Sequence, residues 1–252
     1  MISWVMIESM HVGEHHSFHS WVLNEERNIV IRLPNDYDPS WEYPVLYMLD
    51  ADFSRFYYHD IATLQYLTTL ERLPEMLIVG ITNTDRNRDT LPVEIPSRPG
   101  SGKADKFLEF ITSELKPFIE TNFPTTHPHY LYGASNAGIF TLYTLLTVPD
   151  AFDAYLAISP MIGYCPDLIR DLSRELFKTT EGGRKFLYMN YGKTDLKHVT
   201  EHVPWYEKLL EKEAPGWLTW ECKYHPDEGH VPYTSLYDAL QAAYLCLVTG
   251  EV

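Results

Sequence analysis

Apolar positions in the first part of the chain fall into short runs separated by polar or charged breaks. Residues 4–10, 18–23 and 28–33 have this character, which is typical of antiparallel strands. Further along, several apolar runs lose their alternation, which indicates strands buried on both faces of a sheet. The later runs are 45–49, 76–81, 129–132, 154–158, 185–191 and 218–224.

Helical patterns separate most of these later runs. Residues 103–122 place apolar side chains on one helical face, and Pro117 is expected to disturb that helix. Residues 135–146 are apolar nearly all round, which predicts a buried helix. The remaining helical patterns are 166–178, 198–212 and 233–247. Alternating strands and helices predict an α/β fold with antiparallel N-terminal strands and a mostly parallel central sheet, covered by helices on both faces.

The composition fits one globular domain without a nucleic-acid partner. The chain has 252 residues, of which 45% are hydrophobic, and α/β folds of this size form single domains. We therefore expect one domain over residues 1–252. The net charge of −15 would repel a phosphate backbone. No apolar run approaches the roughly 20 residues of a membrane span, and the first residues lack a secretory pattern, so we expect a cytoplasmic protein that does not associate with membranes.

Three cysteines occur at wide spacing, namely Cys165, Cys222 and Cys246. Their odd number and spacing favour neither a disulfide framework nor a zinc site. We expect free, buried thiols.

The strongest local motif is Gly-Ala-Ser-Asn-Ala-Gly at positions 133–138, between an apolar strand and a buried helix. This context is typical of a nucleophile elbow, with Ser135 exposed at the carboxyl edge of the sheet. The usual motif has glycine where Ala137 stands. A helix beginning beside Ser135 offers free amides to a negative charge, so the Asn136 N–H is a candidate oxyanion donor.

A serine nucleophile needs a base and an acid that reach the same edge of the sheet. His230 lies between the last predicted strand and the terminal helix, where the order serine, acid, histidine places the base. Asp195 follows the strand predicted at 185–191 and is the candidate acid. Glu201 is near enough in sequence to remain an alternative.

The remaining candidates lie in two earlier segments. A second oxyanion donor is expected after the strand at 45–49, from the amide of Ala51 or Asp52. Phe53 begins an aromatic group, with residues 56–58, that either lines a pocket or belongs to the core. The proline-rich segment 83–102 is a candidate loop over a binding site. Phe53, Arg86 and Arg88 are our candidates for substrate contacts.

These residues resemble the esterase family of α/β-hydrolases that includes siderophore esterases, feruloyl esterases and S-formylglutathione hydrolase. The likeness extends over nearly the whole chain and rests on residues 27–34, 43–50, 79–89 and 152–160. It implies a Ser-His-Asp hydrolase that uses an acyl-enzyme and needs no metal or cofactor.

The leading hypothesis is therefore hydrolysis of a small-molecule carboxylic ester, with Ser135 as nucleophile, His230 as base and Asp195 as acid. Acyl transfer to an alcohol, or a binding protein with the same fold but no turnover, are the alternatives. Feruloyl, siderophore and short acyl esters all stay open as substrates, and the sequence does not predict an oligomeric state.

Overall fold

The structure is a computed structural model that describes residues 12–179 and 182–250. In this part of the chain, eight strands form one mixed sheet in the order β1-β2-β4-β3-β5-β6-β7-β8. The strands are β1 (Glu14–Ser20), β2 (Glu25–Arg32), β3 (Tyr43–Leu49), β4 (Leu77–Ile81), β5 (Thr125–Ala134), β6 (Ala154–Ile158), β7 (Lys185–Gly192) and β8 (Leu218–His225).

The α-helices cover both faces of this sheet. They are α1 (Ser54–Thr69), α2 (Arg86–Thr90), α3 (Ala104–Phe110), α4 (Lys116–Asn122), α5 (Asn136–Thr147), α6 (Pro166–Leu176), α7 (Lys197–Thr200), α8 (Val203–Glu213) and α9 (Ser235–Tyr244). Short π-helical segments lie at Ile111–Leu115 and Leu245–Thr249, and 3-10 turns at Pro149–Ala151 and Ile162–Tyr164. None of the helices described is long and apolar enough to cross a membrane.

Strand direction follows the predicted pattern. β2 is antiparallel to β1 and to β4, whereas the six strands β3 to β8 run parallel to one another. The buried side chains form two clusters, one on each face of the sheet, because the central strands are apolar on both faces. The predicted α/β-hydrolase fold class is confirmed. The carboxyl ends of the parallel strands therefore share one edge.

The predicted element boundaries hold best in the centre of the sheet. The strand expected at 154–158 has these bounds in the structure, whereas the strand expected at 18–23 is the edge strand Glu14–Ser20. The strand expected at 4–10 lies outside the described residues. The expected thiols are free, with Cys165 and Cys246 buried and Cys222 half-buried.

Two predicted helices are interrupted at prolines. The segment 103–122 stays helical, but a π-helical turn at Ile111–Leu115 precedes α4, where Pro117 lies in the first turn. Proline lacks an N–H and clashes with the carbonyl four residues earlier, and a wider turn relieves that clash. The helix predicted at 198–212 is divided into α7 and α8, and Pro204 lies in the first turn of the second.

The sequence patterns did not predict α1. Its buried positions, Tyr57, Ile61, Leu64 and Leu67, have helical spacing and pack on the sheet. The exposed positions include the aromatic residues Phe56, Tyr58 and Tyr66, which obscure the contrast between the two faces.

Candidate active site

The turn between β5 and α5 holds Ser135 in a strained conformation. Its φ is 62° and its ψ is −116°, a region that residues with a side chain rarely adopt. A Cβ at Gly133 would lie 2.4 Å from the Ala137 carbonyl oxygen, and one at Gly138 would lie 2.6 Å from the Ile158 carbonyl oxygen. Ala137 is fully buried, so its methyl group fits where the usual motif has glycine.

The first turn of α5 presents backbone amides beside Ser135. Asn136 is the first residue of this helix, so its N–H has no acceptor within the helix. The helix dipole makes this end partly positive. The buried Asn136 side chain donates to Asn87 Oδ1 at 3.1 Å, which ties the turn to α2. An oxyanion formed on a substrate at Ser135 would meet a preorganised donor.

His230 and Asp195 lie in contact at the same edge of the sheet. The His230 Nδ1 and Asp195 Oδ1 atoms are 2.6 Å apart. The Asp195 side chain is fully buried after β7, and the His230 side chain is 30% exposed after β8. Because the carboxylate accepts the proton on Nδ1, Nε2 of the neutral ring can accept a proton from a hydroxyl.

A third side chain, Ser159, joins the loops that carry Asp195 and His230. The Ser159 hydroxyl donates to Asp195 Oδ2 at 2.7 Å and accepts from the Val231 N–H at 3.1 Å. Ser159 is fully buried at the end of β6. Both Ser159 and Val231 have positive φ, 42° and 59°, and such strain in a bulky residue persists only where the surroundings enforce it.

The loops after β7 and β8 approach each other at Gly192. A Cβ at this position would lie 2.2 Å from the Gly229 carbonyl oxygen and 2.5 Å from that of Glu228. Thr194 N–H also donates to the Glu228 carbonyl at 3.2 Å. The contact between His230 and Asp195 therefore depends on a position that tolerates no side chain.

Ser135 and His230 line one cavity of about 460 Å³. Aromatic and aliphatic side chains predominate in its wall, as is usual for a small-molecule site. The lining residues are Met48, Leu49, Asp50, Phe53, Phe56, Tyr57, His59, Asp60, Arg86, Tyr132, Ala134, Ser135, His230, Val231, Pro232, Tyr233, Ser235 and Leu236.

Arg86 contributes the positive charge of this wall and is itself paired. Its Nε and Nη2 donate to the two carboxylate oxygens of Asp50 at 2.8 and 2.6 Å. Nη2 also donates to the Ala134 carbonyl at 3.1 Å, next to Ser135, and the guanidinium lies 5.3 Å from the centre of the Phe53 ring. Arg86 thus connects the strand end at Asp50 to the elbow.

The two candidates for the second oxyanion amide differ in their bonding. The Ala51 N–H donates to the Ile81 carbonyl at 3.1 Å, so it continues the ladder between β3 and β4. Asp52 is held by its side chain, because Oδ1 accepts from the Asn83 N–H at 2.9 Å and from Asn83 Nδ2 at 2.7 Å. Of the two amides, the one at Ala51 is thus already hydrogen-bonded within the sheet.

Arg88 does not lie where we expected it. Its guanidinium donates to Glu25 and Asp89, with the shortest contact at 2.5 Å, and the hydrogen bonds to Glu25 and then Asp89 raise its pKa. Arg88 is absent from the cavity wall, so our prediction that it contacts the substrate is replaced by a structural role in this ion-pair network. Phe53 and Arg86 do line the cavity. Glu201, the alternative acid, directly follows α7, and the imidazole of His230 bonds to Asp195 instead.

Sequence reasoning missed Ser159, which bonds to Asp195, and the cavity-lining residues His59 and Asp60. A serine at a strand end and an acidic residue within a helix carry no motif, and their positions follow only from the fold. For the aromatic group at residues 53 and 56–58, the sequence left two alternatives open, pocket lining or core. Phe56 and Tyr57 line the cavity, and Tyr58 does not.

Comparison with protein families bears on this site. The family described as Putative esterase matches residues 20–234 of the chain. The chain belongs to this family. The match includes the elbow and the two loops that carry Asp195 and His230, as the resemblance in the sequence predicted.

Curated proteins that are similar to the chain include siderophore esterases. Ferri-bacillibactin esterase BesA of Bacillus subtilis is 36% identical over 166 residues, which are 55% of this chain and 55% of BesA. A siderophore enterobactin esterase of Emericella nidulans is 43% identical over 70 residues, 27% of this chain and 23% of that protein. The chain thus spans about half of BesA and a smaller part of the fungal enzyme.

Solved structures extend the likeness over the whole fold. An IroE-like serine hydrolase from Shewanella oneidensis superposes with a TM-score of 0.82 at 30% identity, covering 91% of this chain and 79% of that one. The siderophore hydrolase EstA of Aspergillus nidulans superposes with a TM-score of 0.79 at 20% identity, covering 100% and 99%. The second comparison bears on the fold alone.

Proposed function

We propose that this protein is a serine esterase that hydrolyses small-molecule carboxylic esters through an acyl-enzyme on Ser135. The observation that carries this proposal is the 2.6 Å contact between His230 and Asp195, at a cavity that Ser135 and His230 both line. A strained serine, a helix N-terminus and a histidine bonded to a buried carboxylate are together the arrangement that acyl transfer requires.

In the first half-reaction, the Ser135 hydroxyl attacks the ester carbonyl while Nε2 of His230 accepts its proton. Asp195 stabilises the resulting imidazolium. The amides of Asn136 and Asp52 donate to the oxyanion, since the Ala51 amide is engaged by Ile81. The tetrahedral intermediate collapses, and His230 returns the proton to the departing alcohol.

In the second half-reaction, water attacks the acyl-enzyme and gives its proton to His230. The intermediate releases the carboxylic acid, and the proton returns to Ser135. Each cycle thus consumes one ester and one water and forms one acid and one alcohol, and the protein is regenerated.

The direct test is Ser135→Ala. We expect kcat for p-nitrophenyl acetate to fall by about 10⁴- to 10⁶-fold, because the nucleophile is removed, and a fluorophosphonate probe that labels Ser135 in the wild type should not label the variant. Ser113→Ala, at an exposed helical position, is the control and should retain activity. Wild-type rates in a folded Ser135→Ala protein would refute the proposal.

The names of the relatives suggest which esters to test first. BesA and the fungal proteins are described as siderophore esterases, so siderophore esters are the first candidates for this chain. A panel of siderophore, feruloyl and short acyl esters, compared by kcat/KM, separates the substrate classes. A feruloyl or short acyl preference of tenfold or more would reject the siderophore assignment while leaving the esterase proposal intact.

A further inference from the structure

The cavity at Ser135 changes in character from its mouth to its floor. Phe53, Phe56 and Tyr233 are 41%, 55% and 69% exposed, so they form an aromatic rim at the surface. Met48, Tyr132 and Leu236 line the same cavity and are buried. A substrate group that enters the cavity therefore passes aromatic rings before it reaches a mostly apolar floor.

Asp60 places a carboxylate in this wall. It lies in α1, lines the cavity, and has a side chain that is only 10% exposed. Its Oδ1 lies 3.1 Å from Nδ1 of His59. Burial raises the pKa of Asp60, and hydrogen bonding to His59 and to Tyr132 opposes that rise. The ring of His59 in turn lies 4.6 Å from the ring of Tyr233 at the rim.

The other carboxylate and the arginine of the described cavity wall are paired with each other. Among the described residues that line it, Arg86 is the one arginine or lysine, and Asp50 occupies its guanidinium with two hydrogen bonds. Asp50 is therefore engaged as well. A buried carboxyl group keeps an acceptor oxygen whether it is ionised or protonated. Asp60 already bonds to His59 and Tyr132, but a carboxylate has about four acceptor sites, so Asp60 can accept a further hydrogen bond from a donor group of the substrate.

We propose that Asp60 is a specificity-determining residue, which accepts a hydrogen bond from a hydroxyl group on the part of the ester that fills the cavity. This inference rests on the proposed esterase function. A phenolic group suits both the aromatic rim and the acceptor beyond it. An ester with a methyl group in place of that hydroxyl would cover the remaining acceptor sites of the carboxyl group without bonding to them, and leaving a buried acceptor site unsatisfied is costly.

The test compares pairs of esters that differ only in hydroxyl against methyl. For the acyl side, the pair is 4-nitrophenyl 3-(4-hydroxyphenyl)propanoate and its 4-methyl analogue, in which the ethylene spacer insulates the carbonyl from the substituent. For the alcohol side, the pair is 2-(4-hydroxyphenyl)ethyl acetate and its 4-methyl analogue. We expect the wild type to prefer the hydroxyl ester by about 10- to 100-fold in kcat/KM in one pair, which identifies the side that binds Asp60.

Variants then assign the preference to Asp60. In Asp60→Leu, or in Asp60→Ala if the larger side chain prevents folding, the values of kcat/KM for the hydroxyl ester and the methyl ester should differ by no more than about twofold. Asp167→Asn, at a side chain that is 82% exposed and outside the cavity, is the control and should keep the wild-type ratio. Fluorophosphonate labelling of Ser135 checks that the nucleophile is intact in each variant.

Two results would overturn the role of Asp60. One is a wild-type ratio below about twofold in both pairs, and the other is a preference that persists in the Asp60 variants. Either result, with Ser135 labelled and the esters hydrolysed, would leave the esterase proposal standing. Loss of labelling and of all hydrolysis in the wild type would instead reject the esterase itself.

Discussion

Ser159 illustrates how much a single buried hydroxyl can contribute at this site. It bonds to Asp195 and to the backbone of Val231, so one residue fixes both the carboxylate and the loop that begins after His230. We expect Ser159→Ala to lower kcat about 10- to 100-fold with little change in KM, because the substrate contacts stay while the base loses its orientation.

The measurement is the pair of kinetic constants together with the acid limb of the pH–rate profile. Ser173→Ala is the matched control, since Ser173 is another fully buried serine that bonds elsewhere, to Tyr206 and the Ile169 carbonyl. An equal loss of kcat in both variants would attribute the effect to general destabilisation and contradict the positioning role.

At this scale, the sequence predicts residues whose chemistry is tied to a motif or to chain order. Ser135 is the candidate nucleophile because glycine and alanine flank it between a strand and a helix, and His230 and Asp195 are the candidate base and acid because each follows a strand. Arg86 and Arg88 are equivalent in sequence, but they lie on different sides of a short helix, so one reaches the cavity and the other an ion-pair network. The sequence pattern alone could not show which of the two arginines lines the cavity.

Between elements, the approach of the loops after β7 and β8 depends on Gly192. We expect Gly192→Ala to lower kcat/KM for ester hydrolysis by about 100-fold or more, because the new Cβ would clash with the Gly229 and Glu228 carbonyl oxygens and displace His230 by about 1 Å. Ester kinetics and the melting temperature should be measured together.

The control is Gly183→Ala, since a Cβ at Gly183 meets no atom within 4 Å. That substitution should leave both activity and melting temperature close to wild type. Full activity in Gly192→Ala would show that the two loops can separate without cost to the base.

Elements were predictable where burial dominates their pattern. β6 is buried at all five positions, so its apolar run alone marks its limits. β1 alternates between exposed and half-buried residues at the sheet edge, and α1 mixes buried aliphatic with exposed aromatic side chains. In both cases tertiary contacts, rather than the local pattern, decide the structure.

For the whole molecule, the sequence predicts a mostly parallel sheet but not its order. β4 lies between β2 and β3, and the crossovers that produce this arrangement leave no local signal in the helices. The order matters for the site, because it brings the ends of β3, β5, β7 and β8 to one edge. The cavity therefore depends on segments that the chain separates widely.

The middle of β5 carries a histidine that should make the stability of the whole fold depend on pH. His129 is buried, and Lys116 Nζ lies 2.9 Å from its Nδ1. Burial first, and then the positive charge of Lys116, lower the pKa of His129 to about 4 from an ordinary value of 6.5. The unfolded chain therefore binds a proton between these values that the folded protein does not.

Because the folded-state pKa is the lower one, this contribution to stability is complete above about pH 6.5 and is lost as the pH falls toward 4. The loss should reach at most about 3 kcal/mol in the free energy of unfolding. The His129→Gln variant keeps a neutral acceptor for Lys116. When its free energy of unfolding is measured with urea and plotted against pH, the slope in this window should be shallower than in the wild type by about 1.4 kcal/mol per pH unit. His15→Gln, on the exposed edge strand, should keep the wild-type slope, and an unchanged slope in His129→Gln would mean that His129 takes up its proton in the folded state.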